Sequence, residues 1–119
     1  MTNYSAGHEA EKIAARYLEK HGYKVAALNW RHARAEIDIV AEKREVFGLR
    51  RHLVFFEVKY RKTSNQGHGL DYITPKKLAQ MQFAAQLYVA QHDYRGEYCL
   101  GAVELSGDPC GVDVVIEQI

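Results

Sequence analysis

The sequence predicts an α/β fold in which helices flank one mixed five-stranded sheet. Two observations support this prediction. Segments with a helical apolar period alternate with short runs of β-branched and aromatic residues. Along the chain, the order of these segments is helix, three strands, helix, two strands. Because elements of this kind bury their apolar faces against one another, we expect one sheet with helices packed on it, in a single domain over residues 1–119.

The first predicted element is a helix from about Ala6 to His21. Gly22 follows it and is a typical stop signal. Glu9 lies one turn before Ile13, so we expect its side chain to border the apolar side of the helix. That side is formed by Ala10, Ile13, Ala14, Tyr17 and Leu18.

Three strands are predicted next, at Tyr23 to Trp30, Ala35 to Lys43 and Leu53 to Tyr60. The segment between the second and third is polar at both ends and contains Gly48, which predicts an antiparallel hairpin with a long loop. In the second strand, alternation places Ile37, Ile39 and Ala41 on one face, and Glu36, Asp38 and Val40 on the other. In the third, it separates Leu53, Phe55, Glu57 and Lys59 from Val54, Phe56, Val58 and Tyr60.

The second half of the chain predicts a helix followed by two strands. Thr74 is a good N-cap and Pro75 suits the first helical position, so the helix should run from there to about His92. Its buried stripe is predicted to be Leu78, Met81, Ala85 and Tyr88. The segments "EYCLGAVEL" and "VDVVIEQI" are the closing strands, joined by the turn "SGDPCG".

Composition predicts a soluble protein of the cytoplasm. Hydrophobic residues make up 47% and charged residues 26%, and no apolar run approaches the roughly 18 residues that a membrane helix needs. The first residues lack the pattern of a signal peptide. Cys99 and Cys110 have no metal-ligand spacing, so both are expected to be free thiols in a reducing compartment. The net charge of +1 does not by itself indicate nucleic-acid binding.

The stretch "VFFEVKYRK" carries the chemistry. Glu57 and Lys59 share one face of a strand that is otherwise apolar, and the predicted hairpin would bring Asp38 opposite Glu57. Two adjacent carboxylates repel each other, and a divalent cation removes that conflict. Mg²⁺ or Mn²⁺ is the expected cofactor, because Mg²⁺ prefers one or two carboxylates, water and phosphate oxygens. A solvated Glu57–Lys59 pair on an exposed strand is the alternative interpretation.

The predicted site therefore performs metal-assisted phosphodiester hydrolysis. Asp38 and Glu57 would hold the metal, and the backbone carbonyl of Val58 is free to help. Lys59 would steer or deprotonate the attacking water, or pair with the phosphate as a point charge. Glu9, on the first helix, would reach the same site as an outer ligand.

Basic residues on both sides of the acids suggest a track for the phosphate backbone, because such residues make most phosphate contacts. The predicted track contains Arg31, Arg34, Arg61 and Lys62. Trp30 lies at a strand end and is a candidate for stacking. The six histidines show no zinc spacing, and His68 is the one worth testing.

The residues also resemble a known family. Glu9, "EID" at residues 36–38 and "EVK" at residues 57–59 follow the order of the PD-(D/E)XK nuclease superfamily. More closely, "GHEAEKIAARYLEKHGY", "NWRHARAEIDIVA", "FFEVKYRK", "ITPKK" and "VDVV" resemble the YraN-like proteins, which are related to archaeal Holliday junction resolvases.

The resemblance implies a restriction-endonuclease-like core with metal ligation by Asp38 and Glu57. It also implies that Lys59 is the catalytic lysine, that Glu9 is the helix acid, and that Arg31 and Lys77 lie near the substrate groove. The expected partner is nucleic acid, with DNA favoured, and the analogy with resolvases suggests a homodimer.

Two other functions stay open from the sequence alone. The chain could be a nucleic-acid-binding module that keeps the fold without useful turnover. It could also be a protein-interaction domain in which the acidic cluster is structural.

Overall fold

The computed structural model describes residues 3–44, 51–61, 72–107 and 110–119, with side chains from His8 onward. Four predicted features lie outside these ranges: the loop glycine Gly48, Lys62 of the phosphate track, His68, which was singled out for testing, and part of the turn before the last strand. The elements are α1 (Asn3–Lys20), β1 (Tyr23–His32), β2 (Ala35–Arg44), β3 (Arg51–Arg61), α2 (Pro75–Gln91), β4 (Glu97–Ser106) and β5 (Gly111–Ile116).

The five strands form one mixed sheet in the order β1-β2-β3-β4-β5. β2 is antiparallel to both β1 and β3, which confirms the predicted hairpin. β3 and β4 are parallel and are connected through α2, whereas β4 and β5 are antiparallel. The predicted α/β class and element order are therefore confirmed.

The two helices cover opposite faces of the sheet. α1 packs on the face that carries Ile39, Val54 and Phe56. α2 packs on the other face, against Val40 and Phe55. Successive β3 residues alternate between these two cores, as the sequence predicted, and Glu57 and Lys59 thus project on the α2 side of β3.

One predicted face is wrong in β2. Ile37 was expected beside Ile39, but it packs in the α2 core while Ile39 packs in the α1 core. The regular pairing of β2 with β3 reaches Ile39 and Phe56. At the next position the Asp38 side chain, instead of the backbone, accepts the hydrogen bond from the Val58 N–H at 2.9 Å. The alternation of β2 side chains between the two faces therefore changes at Asp38, where a side chain replaces a backbone hydrogen bond to β3.

Helix ends follow the predicted signals. Thr74 caps α2, and its Oγ1 accepts a hydrogen bond from the Lys77 N–H at 3.1 Å, with Pro75 in the first turn. Gly22 has a φ of +93°, which suits the end of α1. The buried stripe of α2 is close to the prediction, although Leu78 is only partly buried; it consists of Met81, Ala84, Ala85 and Tyr88. Among the described helices, none has the length and apolar character needed to cross a membrane.

The two cysteines are free thiols, as predicted. Cys99 donates a hydrogen bond to the Glu117 carbonyl at 3.1 Å, and burial raises the pKa of its thiol. Cys110 precedes β5 and also has a raised pKa, mainly because of burial.

Candidate active site

Two carboxylates meet where β2 and β3 stop pairing regularly. Asp38 is held by the Val58 N–H, and Glu57 precedes Val58 on β3. Burial raises the pKa of Glu57 to about 7, and the negative charge of Asp38 adds to the shift. Burial raises the pKa of Asp38 as well, against the lowering effect of its bond from Val58. The fold therefore places two desolvated carboxyl groups close enough for each to act on the pKa of the other.

One ammonium group partly compensates this charge. Lys77 Nζ lies 3.1 Å from Glu57 Oε1, and its positive charge lowers the pKa of both carboxyl groups without reversing the shifts. Glu36 adds a further negative charge that acts on both. Glu36 also pairs with Arg31, so the excess of negative charge falls on Asp38 and Glu57, and a divalent cation would offset it.

The acid from α1 that lies near this cluster is Glu11, not Glu9. Burial raises the pKa of Glu11, and the charge of Asp38 adds to that shift. Glu9 is exposed, and its carboxylate acts on the thiol of Cys110 beside β5. Residues two apart on a helix point in nearly opposite directions, so only one of the two glutamates can face Asp38. The predicted position of the helix acid is therefore wrong by two residues.

Asn29 holds the Glu11 carboxylate from β1. Its amide donates a hydrogen bond to Glu11, which lowers the pKa against the effect of burial. Asn29 has a φ of +51°, in the left-handed region that asparagine tolerates better than most residues. The other Glu11 oxygen, Oε2, is buried and has no hydrogen-bond partner among the residues that the structure describes. Glu11 thus keeps one acceptor atom without a hydrogen bond from the described residues.

Lys59 lies on the same face of β3 as Glu57 but farther along the strand. Its side chain is exposed, and its Nζ lies 5.8 Å from the centre of the Tyr72 ring. The Arg61 guanidinium lies at the same distance from that ring. Two cations therefore gather around the Tyr72 ring. Val58 contributes its N–H to Asp38, and the predicted use of its carbonyl as a metal ligand stays a prediction.

The acidic cluster fits a magnesium-type site better than a zinc-type site. Within the described ranges, no group of three or more His, Cys, Asp or Glu side chains is arranged to hold a metal ion. A zinc site requires three or four such ligands, whereas Mg²⁺ commonly uses one or two carboxylates and completes its shell with water and phosphate oxygens. Asp38 and Glu57 meet the second requirement, and the excess negative charge around them favours a divalent cation.

The predicted phosphate track divides into separate positions. Arg31 pairs with Glu36 at 3.6 Å, and both side chains are more than half exposed. Arg34 and Lys77 lie together on a cleft of about 530 Å³ between the start of β2 and α2. Arg61 lies near the Tyr72 ring. These cations thus have different neighbours, and Lys62, the other member of the predicted track, lies outside the described residues.

Two features were missed at the level of sequence. Glu11 lies three residues before Ala14 and seven before Leu18, which are both fully buried, so the phase of the helix pointed to it. The cleft between β2 and α2 was also missed, since it depends on the position of Phe83, which is 59% exposed on α2. No pattern in the sequence separates an exposed aromatic residue of this kind from a buried one.

The chain is similar to proteins of one family. The sequence model of the family described as "Uncharacterised protein family UPF0102" matches residues 10–116. A UPF0102 protein of Cytophaga hutchinsonii is 30% identical over 97% of this chain and 96% of its own length, and one of Nitrosococcus oceani is 34% identical over 96% and 79%. A UPF0102 protein of Chlorobium phaeobacteroides is 40% identical over 70% of this chain, a stretch that spans 61% of that relative. On this evidence the chain belongs to the UPF0102 family.

Proposed function

We propose that the protein is a metal-dependent nuclease that hydrolyses phosphodiester bonds in structured or branched DNA. The observation that carries the proposal is the pair of desolvated carboxylates, Asp38 and Glu57, with one ammonium group for their combined charge. Two ionised carboxylates repel each other at this separation, and a bound cation would offset that repulsion. The order of "EID" and "EVK", which resembles the PD-(D/E)XK nucleases, supports the same function.

In this proposal Asp38 and Glu57 hold Mg²⁺ or Mn²⁺, with the Val58 carbonyl as a further ligand. The cation, when bound, supplies charge stabilisation to the phosphate and to the water that attacks it. The Val58 N–H fixes the Asp38 carboxylate by its 2.9 Å hydrogen bond, so this acid is already oriented. Glu11 takes the place that was predicted for Glu9, as the outer acid from α1.

The lysines act on the substrate. In hydrolysis, the oxygen of a water molecule bonds to phosphorus and the water releases one proton to solvent, while the bond to the leaving oxygen breaks and that oxygen takes up a proton from solvent. Lys59 is exposed on the face of Glu57, and this favours pairing with a phosphate oxygen over the other roles that were predicted for it. Lys77 is already within 3.1 Å of Glu57, so its ammonium is positioned next to the reacting phosphate.

The second candidate is a nucleic-acid-binding module without useful turnover. The same cations would hold the phosphate backbone, and the acids would serve only to bind a structural cation. One observation favours it: Lys77 Nζ lies 3.1 Å from Glu57 Oε1 and already offsets part of the charge that a catalytic cation would neutralise. Binding and cutting therefore have to be measured separately.

The test is cleavage of branched, nicked and linear DNA in Mg²⁺ or Mn²⁺ by the wild type and by E57A and K59A. We expect cutting that depends on the metal and is lost in both variants. E19A and K24A, which remove exposed side chains elsewhere, serve as controls and should cut like the wild type. DNA binding without cutting, unchanged in the variants, would support the module, and absence of binding would contradict both candidates.

A further inference from the structure

A cleft opens beside the carboxylate pair, between residues 34–36, at the start of β2, and the exposed side of α2 from Lys76 to Phe83. Its volume is about 530 Å³, which is large enough for a small planar ligand. Lys77 lines this α2 cleft and its Nζ also lies 3.1 Å from Glu57 Oε1, so the cleft borders the candidate active site.

The α2 wall of the cleft has an aromatic ring at one end and a cation at the other. Lys76, Ala79 and Phe83 are spaced three and four residues apart, so they follow one another along the same side of the helix. All three are exposed, and Phe83 is 59% exposed. The methyl side chain of Ala79 leaves the helix surface low between its two larger neighbours. This arrangement provides a flat, open space against the Phe83 ring.

The charges of the α2 cleft favour a ligand that carries phosphate. Arg34, Lys76 and Lys77 line it, and Glu36 is the acid among the lining residues. α2 also begins here, and the first turn of a helix attracts negative charge. A ligand with a flat apolar ring and an attached phosphate matches this combination of aromatic surface and positive charge.

We propose that the α2 cleft receives the base of an unpaired nucleotide, stacked on Phe83, next to the phosphate that the carboxylate pair acts on. This inference rests on the proposed function and specifies its substrate. A paired base inside a duplex cannot present its face to a side chain, whereas an unpaired base at a branch, a flap or a single-stranded end can. The cleft therefore explains why the substrate is branched or structured DNA.

The test compares DNA that has one unpaired nucleotide at a branch with the same DNA carrying an abasic site at that position. The abasic DNA keeps the phosphates and lacks only the base. Binding is measured in EDTA by fluorescence anisotropy, so that no cutting occurs. We expect the wild type to bind the DNA with the base about tenfold more tightly, which corresponds to about 1.4 kcal/mol.

Variants of Phe83 separate stacking from general apolar contact. F83A and F83L should lose the preference for the base, while F83W should keep it, because only tryptophan retains an aromatic face. A79L fills the low part of the cleft and should also abolish the preference. A90L adds the same side chain at another exposed position of α2 and should leave it unchanged. Melting temperatures confirm that each variant is folded.

An equal affinity of the wild type for the two DNAs would overturn the inference, and so would a preference that survives in F83A. In either case, metal-dependent cutting that is lost in E57A would leave the proposed nuclease standing. A preference for the base in a protein that does not cut would leave the cleft standing and remove the nuclease. Absence of binding to either DNA in EDTA, together with absence of cutting in Mg²⁺ or Mn²⁺, would overturn both.

Discussion

Glu57 carries a carboxyl group that the fold withdraws from water beside a second carboxyl group. Burial raises its pKa to about 7, and Asp38 adds to the shift, while Lys77 opposes it. A solvated Glu57–Lys59 pair, the alternative at the level of sequence, does not describe this arrangement, because the ammonium in contact with Glu57 belongs to α2. In the absence of metal, the ionised Glu57 is therefore a source of instability.

This pKa predicts how stability depends on pH. The folded protein keeps the Glu57 proton up to about pH 7, whereas an unfolded chain releases it near 4.5. Between these values the unfolded state binds fewer protons, so the free energy of unfolding should fall as the pH rises, by on the order of 3 kcal/mol. In E57Q this fall should be smaller, and what is left comes from Asp38 and Glu11, whose pKa values burial also raises. Urea unfolding in EDTA from pH 4.5 to 8 measures it, with E19Q as the control, and an identical fall in E57Q would contradict the assignment.

Asn29 is a second residue whose conformation follows from its contact. With a φ of +51°, it is the partner of Glu11, and the pattern of β1 gave no sign that the chain departs from a regular strand there. Glycine adopts this backbone conformation easily but lacks the amide that binds Glu11. Alanine lacks the amide as well and disfavours the conformation. The two substitutions thus separate backbone strain from the loss of the hydrogen bond.

We expect N29A to be less stable than N29G by about 1 kcal/mol, because a Cβ atom disfavours the left-handed conformation. Both should reduce cutting of branched DNA to the same extent, since both release Glu11. Urea unfolding and a cleavage assay give the two readouts. Equal stability of the two variants, or normal cutting by N29G, would contradict the positioning role of Asn29.

At the scale of elements, the sequence predicted what depends on local pattern. β3 alternates as expected, because a strand paired on both sides keeps its period of two, and α2 begins at Thr74 because its cap is local. β2 departs from its pattern at Asp38, where a side chain replaces a ladder bond. The choice between Glu9 and Glu11 failed for another reason: Glu11 lies three residues before Ala14 and seven before Leu18, a signal in the apolar stripe of α1 that the prediction did not use.

The N-cap of α2, which fixes the helix turn that carries Lys77, makes a contribution to stability that can be measured. Thr74 Oγ1 accepts the hydrogen bond from the N–H of Lys77, the residue whose side chain contacts Glu57. T74A should lower the free energy of unfolding by about 1 kcal/mol, and T74S should restore it. Thermal or urea unfolding provides the measurement. A loss of the same size in T74S would show that the hydroxyl is not responsible.

At the scale of the whole molecule, the site receives side chains from both faces of the sheet. Glu11 comes from the helix on one face, and Lys77 comes from the helix on the other. The carboxylates lie between them, at the point where β2 and β3 stop pairing regularly. A cation bound there would connect elements from the whole fold, so its effect should appear in global stability.

Mg²⁺ or Mn²⁺ should therefore raise the melting temperature of the wild type at pH 8. A concentration 100-fold above the dissociation constant adds about 2.7 kcal/mol of stability, because only the folded state holds the ligands together. D38N should weaken this rise, and E19Q should not. Differential scanning calorimetry with and without the metal provides the test. An identical rise in D38N would place the cation elsewhere or remove it from the proposal.

The crossover between the parallel strands β3 and β4 has a consequence for the newly made chain. α1, β1, β2 and β3 leave the ribosome before α2. Asp38 and Glu57 can therefore come together before Lys77 has been synthesised. During that interval the nascent chain lacks the counter-charge that α2 later provides. We therefore expect divalent cations to stabilise the folded first half of the nascent chain more than they stabilise the finished molecule.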